Sequence, residues 1–433
     1  MKRLLVALVF LTCSSLGAQE RDVQLESFDA AWRLVQETHF DTTFNGVDWP
    51  SVRDQLRPRA IAAPQDTIRQ LIQEMVARLG QSHFALIPKE MADDPTGGSG
   101  SGTAGFDVRL IDGRIVVTEV DRNGPAAASG VKVGWVLTAV DSRTIDDLLS
   151  RIAERKSRYS NAFRAAASVS GWLQGEPGSE VTVHFLDADD RATASTIQRG
   201  PAPGEIVKFG DFPAFYARFA AREVNAAPHK VGVIWFSTWM IPLMRQVDSA
   251  VNMFRDLDGI VLDLRGNRGG IAAMVMGVAG HFTPRRDTLG LFRSRQATLA
   301  FAANPRRASP DGHPVSPFAG PVAILIDDLS ASASEIFAGG MQAIGRARVF
   351  GSTSLGGVLP ARWDRLPNGD LLYHAIADFV AADGTVLEGR GVLPDVPITV
   401  TRNDFLRGRD PVLEAALRWI EASPKTTTPG GTR

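Results

Sequence analysis

Three continuous apolar runs constrain this chain more than any other feature: Val231 to Phe236, Gly259 to Leu264 and Val322 to Ile326. None shows the alternation of a half-exposed strand. Each reads as a strand covered on both faces, the pattern of a buried parallel sheet. Helical patterns lie between them, around Met244–Asp256 and Ile271–Gly280, and a last helix runs from Pro411 to Ile420. This alternation predicts a layered α/β domain. Between the second and third runs, Arg285 to Phe318 carries arginines and prolines without either period, and reads as an insertion placed to act as a lid.

The sequence before this core has a different grain. Phe28, Ala31, Trp32 and Val35 recur at helical spacing, as do Ile68, Leu71, Ile72, Met75, Val76 and Leu79. Helices punctuated by Asn45-Gly46 and Trp49-Pro50 are expected from about Val23 to Gly80. Pro95 to Gly102 has linker composition. The block that follows alternates short strands and turns. It holds strand Arg114 to Val120, a short helix in Gly124 to Gly130, strand Gly134 to Val140, helix Ile145 to Ile152 and strand Val181 to Phe185. The expected division is a helical domain over 19–92, a β-rich domain over 93–200, the α/β core over 201–423 and a disordered tail over 424–433.

Composition narrows the function classes. The chain has 433 residues, 44 % hydrophobic, enough for two or three cores, and a formal charge of −1. No charge run marks a nucleic-acid or anionic-membrane surface. Lys2 and Arg3 before the apolar run Leu4 to Leu11, with small residues up to Ala18, read as a signal peptide over 1–18. Export to a periplasm or the medium is expected, with lipid anchoring at Cys13 as the alternative. Cys13 is the single cysteine, so the mature chain would have no thiol for a disulfide, a nucleophile or a metal site. No later run suits a membrane span, no histidine pair has metal-ligand spacing, and no phosphate loop is present. Neither metal nor cofactor is expected.

The chemistry concentrates in two short motifs. Ser330-Ala331-Ser332-Ala333-Ser334-Glu335-Ile336 follows the third apolar run, and reads as a turn and helix start that presents a serine hydroxyl at the end of a sheet. A nucleophilic serine needs a base. No lysine occurs between Ser332 and Lys425, so a histidine becomes the candidate. Gln81-Ser82-His83, just past a helix, supplies one; His281 and His374 are rivals on composition alone. Ser332 is the expected nucleophile, with Ser334 the alternative in a nearly symmetric motif. Ser330 and Ser334 are expected to be structural.

These motifs resemble a known family. Gly124 to Val140 looks like the core of a PDZ domain of the permuted bacterial type. Asp263-Leu264-Arg265-Gly266-Asn267-Arg268-Gly269-Gly270, Ser330 to Ile336, and Leu387-Glu388-Gly389-Arg390-Gly391-Val392-Leu393-Pro394-Asp395 resemble successive signatures of the carboxyl-terminal processing (tail-specific) peptidases. The resemblance implies a crotonase-like (ClpP-like) β-α layered α/β core with an N-terminal helical segment and an inserted PDZ-like domain. The main branch of that family uses a Ser-Lys dyad, and Gly357 stands here where its lysine is expected. Arg362 cannot substitute, because a guanidinium does not deprotonate at working pH. Ser332, His83, Glu388 and Ser82 match instead the Ser/His/Glu branch typified by the tricorn core.

The resemblance then implies roles. His83 would be general base and acid, with Glu388 orienting it, directly or through Ser82. The oxyanion hole would use the N–H of Ala333 and one from Gly269 or Gly270. Asp263, Arg265 and Asn267 would be scaffold ties. Gly102-Thr103-Ala104-Gly105-Phe106 would form the PDZ loop that captures a terminal carboxylate, the peptide adding as a strand. The expected protein is an exported serine endopeptidase acting on unfolded or C-terminally recognised polypeptides with apolar ends. It would work without a nucleic-acid partner or an integral membrane span, and an oligomer is compatible with this reading. The alternative is a non-catalytic ligand- or peptide-binding protein on the same fold.

Overall fold

The computed structural model describes residues 21–94, 101–154, 157–210, 214–226 and 228–423. The expected signal peptide, Cys13, the linker residues 95–100 and the tail lie outside the described residues. Contacts divide the chain into two units. One gathers residues up to Asp93 with Phe292–Thr298 and Leu359–Asp378. The other holds Asp94–Leu291, Leu299–Val358 and Phe379–Arg433.

The first unit is built on helices over 21–38, Trp49–Ala62 and Gln65–Ala77. Asp48 caps the second helix by accepting from the Ser51 N–H, and Pro50 sits in its first turn, where the missing N–H costs nothing. Phe28, Val35, Trp49, Leu56, Ile68 and Ile72 fill the core. The indoles of Trp32 and Trp49 each donate to the other's backbone carbonyl, at 3.1 and 3.2 Å. Past the third helix the chain turns through Gly80, at φ +63°, and enters strand Ala85–Ile87. That strand pairs antiparallel with Leu371–Ala375, which pairs in turn with Ala361–Arg365. The late hairpin thus shares a core with the early helices, Leu366 and Leu372 packing among them. Asp370, wholly buried, fixes this arrangement: Arg69 reaches it at 2.7 Å and the Lys89 N–H at 2.9 Å.

The second unit holds two six-stranded sheets. In the first, strands Phe106–Ile111, Arg114–Val120, Val136–Val140, Glu180–Leu186 and Ala192–Gln198 lie antiparallel in that order, and the two-residue strand Arg143–Thr144 pairs with Val136–Val140. Helices Ile145–Glu154 and Asn161–Leu173 cover one face, burying Leu148, Ile152, Val169 and Leu173 against Val117, Leu137 and Val183. The sequence reading had neither the second helix nor the last strand. The helix is capped by the Ser160 hydroxyl on the Phe163 N–H, and Ala165, Val169 and Leu173 recur along its buried face. Its alanines and serines blurred an apolar stripe that larger side chains would have marked.

In the second sheet, Phe219–Ala226 forms an antiparallel hairpin with His229–Phe236. Gly259–Asp263, Val322–Ile326, Arg348–Gly351 and Val396–Pro397 continue it in parallel. The three apolar runs are adjacent central strands, covered on both faces as their composition requires. Helix Pro411–Ala422 packs Val412, Ala416 and Ile420 on Val231, Val261 and Leu325. Gly259 permits this approach, since a Cβ there would lie 2.5 Å from Ile420 Cγ2. Helices Met244–Met253, Ala272–Ala279 and Ala333–Ala343 complete the layers.

The insertion expected over Arg285 to Phe318 has regular structure that its composition did not announce. Thr288–Arg293 and Thr298–Ala302 are neighbouring strands there, and Leu289, Phe301 and Ala303 are buried. Arginines and prolines at the flanks hid two short strands whose apolar residues are few. Among the described residues, no helix is long and apolar enough to cross a membrane.

Candidate active site

Strand Val322–Ile326 ends at Asp327, and helix Ala333–Ala343 begins six residues later. The turn between them is tied at every step. Ser330 Oγ donates to Leu264 O at 2.8 Å, the Ala331 N–H to Asn267 O at 3.1 Å, and Ser334 Oγ to Asn267 O at 2.9 Å. Ser334 Oγ also accepts from Trp239 Nε1 at 2.8 Å, in full burial. Ser330 and Ser334 are therefore structural, and Ser334 has no freedom to attack a substrate.

Ser332 sits between them, partly exposed, at φ +55° and ψ −119°. A non-glycine residue persists there only where its surroundings impose it. The imposing groups are visible: the Ser332 N–H donates to Gly357 O at 2.8 Å and to Glu335 Oε2 at 2.9 Å. Glu335 is wholly buried, and it also accepts from the Gly357 and Gly356 N–H groups and from Ser354 Oγ, at 3.0, 2.7 and 2.6 Å. Burial pushes its pKa up to about 7, against these four donors, which favour the charged form. Glu335 is the residue that sequence reasoning missed here. Its signal was present, a serine followed three residues later by glutamate at a helix start.

The Asp263-Leu264-Arg265 loop is joined to this turn. Arg265 pairs with Asp263 and Asp410 at 2.6 and 2.8 Å. Asn267 donates to Phe236 O and accepts from the Gly269 N–H. These residues tie the scaffold, as expected. Gly269, at φ +94°, comes against the serine: a Cβ there would lie 2.6 Å from Ser332 Cβ. The Gly269 N–H is committed to Asn267. The N–H groups of Gly270 and Ala333 make no backbone hydrogen bond to a described residue.

Glu388 is not the surface turn residue that its neighbours suggest. It is 14 % exposed, with Oε2 accepting from the Val358 N–H at 2.8 Å and Oε1 2.9 Å from an Arg158 guanidinium nitrogen. Arg158, from the segment between the two helices of the antiparallel sheet, also donates to Gly356 O at 2.7 Å. Nothing in the local sequence around Arg158 announces that contact.

The first unit holds the histidine. Ser82, 1 % exposed, places Oγ 2.7 Å from His83 Nδ1. His83 adopts φ +62°, and its ring lies 5.4 Å from that of Tyr373, which stacks on Trp363 at 4.1 Å. Gln81 is anchored by its carbonyl on His39 Nε2 at 2.8 Å. The two rival histidines are buried ties. His281 Nε2 meets Asp248 at 2.7 Å; His374 meets Asp364 at 2.7 Å and Thr38 at 3.2 Å. Burial lowers the pKa of both despite their carboxylate partners.

Of the loop expected to capture a carboxylate, Gly102 and Thr103 pair with Gly200–Pro201. The Gly102 N–H donates to Gly175 O and the Gly105 N–H to Thr103 Oγ1, so two of its amides are engaged. Ala104 is buried, and Phe106 opens the outer strand of the sheet.

A serine forced into a rare backbone state at the head of a helix, beside a glycine loop, is the arrangement of a serine-type peptidase. The particular family that its core matches is peptidase family S41. Residues 230–398 match that family, 24–77 match the tricorn protease C1 domain and 102–158 match a PDZ domain. The chain is 25 % identical to the chloroplastic carboxyl-terminal-processing peptidase 3 of Arabidopsis thaliana, over 87 % of this chain and 69 % of that one. It is 26 % identical to the putative tricorn protease homolog 2 of Streptomyces coelicolor, over 94 % of this chain and 33 % of that one. Among solved structures, the photosystem II D1 C-terminal processing protease shares its fold with a TM-score of 0.58 at 22 % identity, over 93 % and 99 % of the two chains. The S499A mutant of CPAF does so with a TM-score of 0.65 at 13 % identity, over 94 % and 99 %. The expected class, family and layered fold with a PDZ domain are borne out, and polypeptides are the substrate class.

Proposed function

We propose that Ser332 is the nucleophile of this peptidase and that His83 is its base. The observation that supports this most is the imposed backbone of Ser332, which leaves its hydroxyl partly exposed while both flanking serines are tied down. The hydroxyl attacks the peptide carbonyl as His83 takes its proton. His83 then returns that proton to the leaving amine, and water releases the acyl group by the reverse path. In this reading Nδ1–H donates to Ser82 Oγ, which leaves Nε2 to accept the proton. Ser82 and Glu388 stabilise the imidazolium that forms. The N–H groups of Ala333 and Gly270 receive the oxyanion, helped by the helix N-terminus behind Ala333. Gly269 gives close access rather than a donor.

The protein acts outside the cytoplasm on polypeptides with accessible apolar ends. That part rests on the composition of residues 1–18 and on the PDZ domain. Intact-mass analysis after fluorophosphonate treatment, followed by peptide mapping, tests the whole. A single adduct on Ser332, absent from His83→Ala, is expected. An adduct elsewhere, or equal labelling of the variant, overturns the assignment.

A further inference from the structure

Within the second unit, a cavity of about 490 Å³ lies between the outer strand Phe106–Ile111, helix Asn161–Leu173 and the loop that begins at Arg265. Phe106, Val108, Ala166 and Leu173 give it an apolar side. An outer strand beside a helix offers unpaired backbone groups to a peptide that adds as a further strand.

Four arginines also line the cavity, and three are satisfied by carboxylates. Arg109 pairs with Asp327 at 3.1 Å, Arg265 with Asp263 and Asp410, and Arg218 with Asp121 at 3.2 Å. Arg268 differs. Its guanidinium lies 5.3 Å over the Phe163 ring and makes no ion pair among the described residues, although the residue is exposed. Surrounding protein and the nearby Arg109 charge lower its pKa, against the smaller opposite pull of Asp107 and Asp327, neither of which pairs with it. It remains a cation at any working pH. Its neighbour in the chain is Gly269, the residue that lies against Ser332. Arg268 therefore connects the cavity with the nucleophile through one peptide bond.

We infer that Arg268 is a specificity residue: it receives an Asp or Glu side chain of a polypeptide laid along the strand Phe106–Ile111, a few residues from the bond to be cut. This rests on the peptidase reading for the bond cut, but not for the binding. A carboxylate would gain two charge-assisted bonds from the planar donor fork, which the Phe163 ring holds in place. A neutral amide would gain one weaker bond.

The test is equilibrium binding of labelled peptides to Ser332→Ala protein, which does not need turnover. One glutamate is scanned along a neutral apolar peptide, each member against its glutamine counterpart. At one register the glutamate peptide is expected to bind about tenfold more tightly, as a charge-assisted pair allows. Arg268→Gln should abolish that preference, and Arg268→Glu should transfer it to a lysine peptide. Should these variants misfold, Arg268→Lys and the glutamate-to-glutamine ratio of the parent protein decide. Equal binding at every register, no binding, or a preference that survives Arg268→Gln overturns the inference. Failure of the peptidase reading would appear separately, as absence of a fluorophosphonate adduct on Ser332 with the acidic preference intact.

Discussion

The nucleophile turn and the histidine segment each hold a non-glycine residue at positive φ, and they hold it differently. Ser332 is fixed by two acceptors on its N–H, by a buried carboxylate with four donors, and by a glycine packed on its Cβ. The contacts of His83 include a hydroxyl at 2.7 Å and a tilted ring contact, both made by its side chain. An attacking atom must lie within a few tenths of an ångström of its path, and misplacement by about 1 Å costs on the order of 10²-fold. A base that moves a proton along a hydrogen bond tolerates more. The difference predicts that changes around Ser332 damage stability and chemistry together, whereas changes at His83 damage chemistry alone.

The largest effect is therefore expected from His83→Ala. Turnover of an unfolded protein substrate should fall about 10³-fold or more, as when a triad member is removed elsewhere. The urea midpoint should move little, because the ring is partly exposed and lies outside the apolar core. A large loss of stability in that variant would break the comparison.

Gly269→Ala should fail in both respects. The new methyl must displace Ser332 Cβ at 2.6 Å or Ala331 O at 2.8 Å, and φ +94° is costly for alanine. Stability should drop by about 2–4 kcal/mol from strain and overlap, and fluorophosphonate labelling by about 10²-fold. Gly384→Ala is the control: at φ +88° with nothing within 4 Å, it should lose only the backbone cost, about 1 kcal/mol. Equal effects would show that backbone strain, not contact with the serine, dominates.

Glu335→Gln probes the clamp itself. Whichever oxygen becomes an amide NH₂ faces a backbone N–H that donated to it, and labelling of Ser332 should slow by about 10²-fold through displacement of the turn. The sign of the pH effect follows from the raised pKa. The folded carboxyl keeps its proton to about pH 7, and an unfolded glutamate releases it near 4.5. Folding thus takes up a proton between those values. This group's contribution is greatest below 4.5 and declines as pH rises through about 7. Urea titrations from pH 5 to 8 should show that downward slope in the parent protein and not in Glu335→Gln.

What was readable in the sequence follows the same division. The central strands were plain because two-sided burial leaves no polar residue inside them, and the serine turn was plain because it follows such a strand. Ser332 could be preferred over Ser334 by motif, but the reason lies in the hydrogen bonds of Trp239 and Asn267 to Ser334, from residues remote in sequence. His83 was reached only through a missing lysine and a resemblance, since a short polar segment past a helix carries no period. Helix Asn161–Leu173 and the strands within 285–318 escaped because small side chains and flanking charges weaken periodicity. The Arg158–Glu388 pair joins residues far apart in the chain, and tertiary ion pairs of that kind have no local signature.

Ser82→Ala should give the smallest effect and the sharpest reading of the histidine segment. Ser82 is 1 % exposed, so a methyl fits the same space, and the loss includes the bond to His83 Nδ1. Stability should change by about 1 kcal/mol. If Ser82 only fills space, turnover and its pH dependence would follow the parent. If it holds the Nδ1–H tautomer, turnover should fall about tenfold, as when an outer hydrogen-bond partner of a reactive imidazole is removed. The acid limb of the turnover profile should also move to lower pH, because a group that stabilises the imidazolium has been lost. Ser82→Thr, which keeps the hydroxyl, should recover part of both. An unchanged profile in Ser82→Ala would leave His83 oriented by the Tyr373 face and its own backbone, and the histidine segment would then be held more by packing than by hydrogen bonds.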